Sequence, residues 1–187
     1  MKNLRQIENN IKWSEFYSDH FNWKNNIPFY KTFQFDFEFL NEFKKEINWY
    51  DLILLSPTVT EEMVDKFNPY INLNRFIRYH KNISETFIEK YLEQLDLSIL
   101  LEFQNLSEEF LIKYHKKFNR LCWVKISKHQ NLTEQFVNRF QDQLNLELFF
   151  MTNFSRYKLS KQFLKKLYKK YESKSLLKKF IEPLLYS

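Results

Sequence analysis

The sequence predicts an all-α protein, an α-solenoid of about seven antiparallel helix pairs. Three observations predict it: a recurring six-residue motif, an apolar stripe of helical spacing after each copy, and a second capping residue about twelve positions further on. Two short helices cannot bury their apolar faces alone, so neighbouring pairs are expected to stack in chain order.

The recurring motif reads apolar, hydroxyl, two polar residues and two apolar residues. It occurs as VTEEMV, ISETFI, LSEEFL, LTEQFV and LSKQFL, and FDFEFL opens an earlier, divergent copy. We call the second residue of each copy its origin and number the following positions +1, +2 and so on. The origins are spaced by 24, 24, 23, 26 and 27 residues, a period near 24, and they are Asp36, Thr60, Ser84, Ser107, Thr133 and Ser160.

Apolar residues follow each origin at +3, +4, +7 and +11, the one-sided stripe of an amphipathic helix. The side-chain oxygen of the origin suits a helix N-cap, and a glutamate at +1 suits the positive end of the helix dipole. A capping-box glutamate at +3 is excluded because the core takes that position. Each copy therefore predicts a helix that begins just after its origin.

A second set of cap-like residues starts the second helix of each pair. Its members are Asn48, Asn72, Asp96, Asn119 and Asn145. Backward projection places a further origin at Asn10, with Trp13, Tyr17 and Phe21 as its stripe. The expected organisation is one domain, with a divergent first repeat over 1–34, central repeats over 35–155 and a basic C-terminal capping repeat over 156–187.

Asparagine precedes three of the origins by two residues. Asn82, Asn105 and Asn131 are expected in the left-handed conformation after a helix, which glycine usually takes. These positions are also glycosylation sequons, as is Asn153, but turn chemistry is the favoured interpretation.

The composition excludes several classes of protein. The chain contains no glycine and no alanine, so phosphate-binding loops, dinucleotide fingerprints and nucleophile elbows cannot form. A single cysteine, Cys122, favours a reducing compartment. No apolar run is long enough to span a bilayer, and the expected location is intracellular, in the cytoplasm of the producing or host cell.

No catalytic residue, metal ligand or cofactor site is predicted. The four histidines are His20, His80, His115 and His129. His80 and His129 are aligned at the same repeat position, but the intervening copy has a phenylalanine there, so no ligand ring results. Nothing orients His129 toward Cys122 as a nucleophile pair.

Basic residues are concentrated after position 155. Residues 156–187 hold ten basic and two acidic residues, a net charge of +8, whereas the rest of the chain is at −2. The lysines that are candidates for binding a polyanion are Lys161, Lys165, Lys166, Lys169, Lys170, Lys174, Lys178 and Lys179. The alternative is a polar outer face that keeps an end repeat soluble. Tyr168 is the one aromatic residue here that the core stripe leaves free to stack on bases.

A second basic feature lies at +6 in successive copies. Stacking would align its members as a ladder along one face, with a solvated, partly neutralised face as the alternative. They are Lys66, Lys90, Lys113 and Arg139, continued by Lys166.

The segments LSEEFL at 106–111 and WVKISKHQ at 123–130 resemble tandem short helical-repeat proteins of AT-rich giant DNA viruses. The resemblance covers about residues 35 to 171 and implies an interaction scaffold without catalytic residues, in the virion or directed at a host. The first functional hypothesis is therefore a non-enzymatic scaffold that binds another protein. The second is a nucleic-acid-binding repeat protein that uses the basic end.

Overall fold

The computed structural model describes residues 27–153, 159–171 and 175–186, and all regular structure in these ranges is helical. This confirms the all-α prediction for the described chain. In these ranges, three short 3₁₀ turns lie at Asn68–Tyr70, Leu92–Gln94 and His115–Lys117. The α-helices are α1 Ile27–Thr32, α2 Phe37–Glu42, α3 Trp49–Leu55, α4 Glu61–Phe67, α5 Leu73–Tyr79, α6 Glu85–Lys90, α7 Leu97–Phe103, α8 Glu108–Tyr114, α9 Arg120–His129, α10 Glu134–Phe140, α11 Leu146–Asn153, α12 Lys161–Lys170 and α13 Ser175–Tyr186.

Some predictions fall outside these ranges. The projected first origin at Asn10 and its apolar stripe lie outside the described residues, as do His20 and Lys174.

Every predicted origin within the described chain caps its helix. The side-chain oxygen accepts from the backbone N–H three residues on, at 2.8 Å for Asp36 and 3.1 to 3.2 Å for the other five. The second caps are confirmed too: Asn119 accepts from the Cys122 N–H and Asn145 from the Leu148 N–H, each at 2.9 Å. Local capping chemistry therefore decides where both kinds of helix begin.

The predicted stripe forms the core. At +3 and +4 all six copies are buried, from the Phe39 and Leu40 pair to the Phe163 and Leu164 pair. At +7 and +11 the side chains are also buried, except for Tyr114 and Tyr171, which are half-buried.

The chain divides into two compact units, Met1–His80 and Lys81–Ser187. In the first, α3 packs between α1 and α5. In the second, α9 packs against both α7 and α11, and α13 packs against both α11 and α12. Within each unit, the helices that begin at second caps thus contact one another in chain order.

The predicted turn geometry is wrong at two of three asparagines. Asn82 has φ of 59°, and it is the only positive φ in the described chain, so Asn105 and Asn131 are not left-handed. The helices before all three asparagines end at extended C-cap residues, His80, Gln104 and Gln130, whose backbone N–H groups close onto the carbonyl four residues back. Asn105 and Asn131 follow their cap directly, whereas Lys81 separates His80 from Asn82. The asparagines bond each other, because Asn131 Nδ2 donates to Asn105 Oδ1 at 2.9 Å.

Candidate interaction surface

We call a helix that begins just after an origin an origin helix. In the second unit, the +1 glutamates of α6, α8 and α10 each accept hydrogen bonds from the origin of the next origin helix. Ser107 donates its backbone N–H to Glu85 Oε1 at 2.6 Å and its hydroxyl to Oε2 at 2.9 Å. In an ordinary capping box, a glutamate of the same helix would accept from the cap N–H. Here +3 is buried in the core, and the preceding helix supplies the carboxylate.

The same pair of bonds occurs twice more. Thr133 donates its N–H and its hydroxyl to Glu108, and Ser160 donates the same two groups to Glu134. From the sequence, these glutamates were predicted only to interact with the helix dipole. Their second role carries no local signal, because the partner lies 22 to 26 residues away in the chain.

A second set of contacts joins the flanks of the same helices. Lys113 at +6 bonds Glu89 at 2.9 Å, and Lys117 at +10 bonds Glu93 at 2.8 Å. The hydrogen bond from Lys113 lowers the pKa of Glu89, and the bond to Glu89 raises the pKa of Lys113. In these two contacts, positions +5 and +9 of one repeat accept hydrogen bonds from positions +6 and +10 of the next repeat.

The pattern recurs between α10 and α12. Lys166 at +6 donates to Asn138 Oδ1 at 2.9 Å, and Lys170 at +10 bonds Asp142 at 3.3 Å. These two of the candidate polyanion-binding lysines therefore point back to the preceding helix.

The +6 residues also contact aromatic rings. Lys90, Lys113 and Arg139 each lie 5.2 Å from the centre of the ring that follows them in the chain. Lys66 lies 4.6 Å from the ring centre of Phe37, the +1 residue of the preceding origin helix. These contacts give the individual +6 residues a structural role within their own unit, and their alignment as a ladder stays a prediction.

The outer flank of α12 differs from those of the helices before it. Lys161, Lys165 and Lys169 stand there at +1, +5 and +9, the positions that accept in α6 and α10. All three are exposed, and they make no hydrogen bond or ion pair with any residue that the structure describes. We call these three residues the α12 lysine face.

The other basic residues near this face are placed differently. Lys179 is exposed on α13, whereas Lys178 is half-buried and lies 5.0 Å from the ring centre of Tyr168. The Tyr168 hydroxyl donates to Glu182, and this bond raises the pKa of the phenol. The prediction that Tyr168 is free to stack on bases is therefore wrong.

Two buried glutamines connect neighbouring helix pairs in the second unit. Gln130 Nε2 donates to the carbonyls of Leu101 and Gln104, both at 2.7 Å, and its Oε1 accepts from the Leu106 N–H at 2.9 Å. Gln104 Oε1 likewise accepts from the Ile83 N–H at 3.3 Å. The sequence carries no local signal for these two glutamines, because their polar partners are backbone groups of a neighbouring helix pair.

The second caps have a similar polar contact one pair back. The N–H of Asn48 donates to the Tyr30 hydroxyl at 2.8 Å, and that of Asn145 donates to Ser127 Oγ at 2.9 Å, both across 18 residues. Burial raises the pKa of Tyr30 to about 12, so its hydroxyl stays neutral.

Two of the described histidines contact the backbone. His80 Nε2 donates to the Ile53 carbonyl at 2.8 Å, and His115 Nδ1 to the Ile112 carbonyl at 2.7 Å. Although His80 and His129 both stand four residues before the next origin, His80 is the C-cap of its helix, whereas His129 is the last residue of α9 and Gln130 is the cap. No group of three metal-ligating side chains occurs among the described residues.

Two further surface features lie in the second unit. A cleft of about 400 Å³ is lined by Arg120, Asp142 and Tyr171 among others. Leu121 and Met151 are apolar but 53% and 61% exposed. Cys122, which follows Leu121 in the chain, is buried, and burial raises the pKa of its thiol.

Comparison with known proteins gives no match: no protein-family model, curated protein or solved structure is similar to this chain. In the part of the chain that the structure describes, no helix has the length and apolar character needed to cross a bilayer.

Proposed function

We propose that this chain is a non-enzymatic helical-repeat scaffold that binds another protein. In this proposal the helix pairs form an α-solenoid of about seven units with a period near 24 residues. The observation that carries it is the recurrence of one contact, a +1 glutamate that holds the next origin, at three successive steps. Such nearest-neighbour contacts are what a repeat array uses to join its units.

The titratable side chains support a structural rather than a catalytic role. Glu85, Glu108 and Glu134 act as caps, and His80 and His115 hold backbone carbonyls. A general acid or base needs a group that is free to exchange a proton with a substrate, and these groups are engaged within the fold.

Protein binding is favoured over the alternative, nucleic-acid binding through the basic end. Lys166 and Lys170 contact α10, and Tyr168 bonds Glu182, so three groups that would have gripped phosphates or stacked on bases are engaged. The resemblance to repeat proteins of giant DNA viruses remains a prediction, and with it a role in the virion or toward a host.

An affinity capture tests the function. The immobilised full chain is incubated with extract of the producing or host cell, with and without nuclease, and bound proteins are quantified by mass spectrometry. The scaffold proposal expects a protein that is retained after nuclease treatment and cross-links directly to the chain. Capture that disappears with nuclease would support nucleic-acid binding instead.

Hydrogen exchange tests the array. Phe110 is buried in α8, and its replacement by alanine should raise exchange in α8 and in the adjacent α6 and α10 first, because a repeat contacts only its neighbours. A uniform rise throughout the chain would contradict the solenoid.

A further inference from the structure

The α12 lysine face inverts the charge pattern of the flank it continues. After the origin of α6, positions +1, +5 and +9 hold Glu85, Glu89 and Glu93, which accept from the next repeat. After the origin of α10 the same positions hold Glu134, Asn138 and Asp142, which accept from the repeat of α12. After the origin of α8 only +1 accepts, because +5 and +9 are Ile112 and Lys116. In α12 all three positions hold lysines, so a flank that accepts in two earlier repeats can only donate here.

The lysines stand four residues apart, so they share one edge of the helix and repel one another. Lys161 also lies in the first turn of α12, where the helix dipole disfavours a cation. The arrangement is unfavourable for an isolated helix. An anionic partner on this edge would remove both penalties.

We infer that the α12 lysine face binds an acidic α-helix of a partner protein, laid along α12 as α12 is laid along α10. This inference rests on the proposed scaffold function and names the chemistry of the partner. The register follows from the contacts within the chain: the partner carries a carboxylate at its N-cap and at its sixth and tenth helical positions. These acids replace the hydroxyl, Lys166 and Lys170 with which α12 itself meets α10.

Most origin helices of a second copy do not fit this edge. The origin helices that meet an acceptor flank present lysine at +6 and +10, as in Lys113 with Lys117 and Lys166 with Lys170. Against the α12 lysine face these would place like charges together, which opposes binding.

The exception is the repeat of α2, which has acids at the origin, +6 and +10, namely Asp36, Glu42 and Glu46. Glu42 is already engaged within the fold, so a partner helix is favoured, and a second copy docked through α2 is a separate outcome of the test.

A helix fits better than a nucleic-acid strand. The +5 to +6 contacts of this kind are made between helices, and the +9 to +10 contact after α6 and α8 continues into the 3₁₀ turns that follow them, with successive donors and acceptors four residues apart. Base stacking needs exposed rings beside the charges, and the Tyr168 ring is covered by Lys178 while its hydroxyl bonds Glu182.

Two synthetic peptides test the inference against the full-length protein. The acidic peptide has the sequence of residues 105–118 with Ser107→Asp, Lys113→Glu and Lys117→Glu, and the basic peptide keeps the native residues. Both peptides are held helical by a staple between positions 108 and 112, on the edge away from the residues that would meet the α12 lysine face. Binding is measured by fluorescence anisotropy, together with that of a single-stranded oligonucleotide.

The protein variants are K161E/K165E/K169E and a control of equal charge change, K45E/K116E/K128E, built from exposed lysines elsewhere. We expect the protein to bind the acidic peptide about ten-fold more tightly than the basic one, as expected for a few exposed ion pairs. The α12 variant should reverse this preference and bind the basic peptide, while the control keeps it.

Four outcomes would overturn the inference. If the wild type self-associates in analytical ultracentrifugation and K161E/K165E/K169E does not, α2 of a second copy is the occupant. Equal binding of both peptides would show that charge register is irrelevant, and tighter binding of the oligonucleotide, lost in the α12 variant, would identify a nucleic-acid surface. Binding of none of the three probes would make the face a solubility cap. If nuclease-resistant capture of a protein persists in that last case, the scaffold proposal stands and only this inference fails.

Discussion

Ser107 donates both its backbone N–H and its hydroxyl to the carboxylate of Glu85, a residue of the preceding origin helix. The hydroxyl oxygen of Ser107 also accepts from the Phe110 N–H of its own helix. One serine thus caps α8 and joins it to α6.

This relationship predicts a measurable coupling. Glu85→Ala should lower the free energy of unfolding by about 1 to 3 kcal/mol, because the serine N–H and hydroxyl lose a charged acceptor. A double-mutant cycle with Ser107→Ala in denaturant melts should give a coupling of about 0.5 kcal/mol or more. Exposed Glu109 is not seen bonding to a cap, and Glu109→Ala is the matched control. Additive effects of Glu85→Ala and Ser107→Ala would contradict the cross-helix cap.

The buried glutamine of α9 predicts a larger effect. Gln130→Leu is close in volume but leaves the Leu106 N–H and two carbonyls without their partner, so it should cost about 3 kcal/mol or more. Exposed Gln135→Leu should change stability by less than about 0.5 kcal/mol. Native-state exchange of the Leu106 amide, measured by NMR, should speed up only in the first variant. Similar melts for the two variants would show that the glutamine bonds contribute nothing.

These two residues show how far the sequence could be interpreted. Ser107 was predictable as a cap because a hydroxyl, its flanking apolar residue and the first two stripe residues lie close together in the chain. Its bond to Glu85 was not, because it depends on which edges of two helices meet. Gln130 stands between His129 and Asn131 with no sign of burial, and its partners are backbone atoms 24 to 29 residues away.

The junction before Ser107 was predicted incorrectly for a related reason. Asparagine tolerates a left-handed backbone, but the residue type alone does not decide whether it adopts one. All three asparagines follow a helix with an extended C-cap, but Lys81 separates His80 from Asn82, whereas Asn105 and Asn131 follow Gln104 and Gln130 directly. On the α12 flank, the lysines were predicted as candidates, but their separation into Lys161, Lys165 and Lys169 facing outward and Lys166 and Lys170 facing α10 required the positions of both helices.

Glycine substitution distinguishes the two kinds of junction. Asn82→Gly should be neutral or stabilising, because Asn82 already has φ of 59° and glycine removes the steric cost. Asn105→Gly should destabilise by about 0.5 to 1 kcal/mol, because it adds backbone entropy at a residue without positive φ and removes the bond from Asn131. Thermal melts of the two variants, run side by side, measure the difference. The opposite order would contradict the observed backbone conformations.

His80 predicts a dependence of stability on pH. Burial lowers its pKa below the ordinary value of 6.5, so the unfolded chain binds a proton more readily than the folded one. Its contribution to stability is present above pH 6.5 and is lost as the pH falls toward the lowered folded pKa. His80→Gln should keep a donor toward the Ile53 carbonyl, as Gln130 does toward Leu101, but should not titrate.

The measurement is the unfolding free energy of both proteins at about pH 7.5 and 5.5. Wild type should lose more stability than His80→Gln over this interval. Equal losses would mean that His80 is protonated equally in the folded and unfolded states.

Lys161 affects the stability of α12 when no partner is bound. It lies in the first turn of α12, beside the positive end of the helix dipole, and four residues before Lys165. Lys161→Glu should therefore stabilise the isolated chain, by about 0.3 to 1 kcal/mol, while it weakens the proposed binding of an acidic helix.

Lys128 provides the matched control. It lies in the last turn of α9, where the dipole favours a cation, so Lys128→Glu should be slightly destabilising. Denaturant melts at low ionic strength measure both, and a salt titration should shrink both differences. Stabilisation by Lys161→Glu would mean that the lysine is retained against local stability, as is common for residues that bind a partner. A destabilising Lys161→Glu would instead give the α12 lysine face a role in the fold itself.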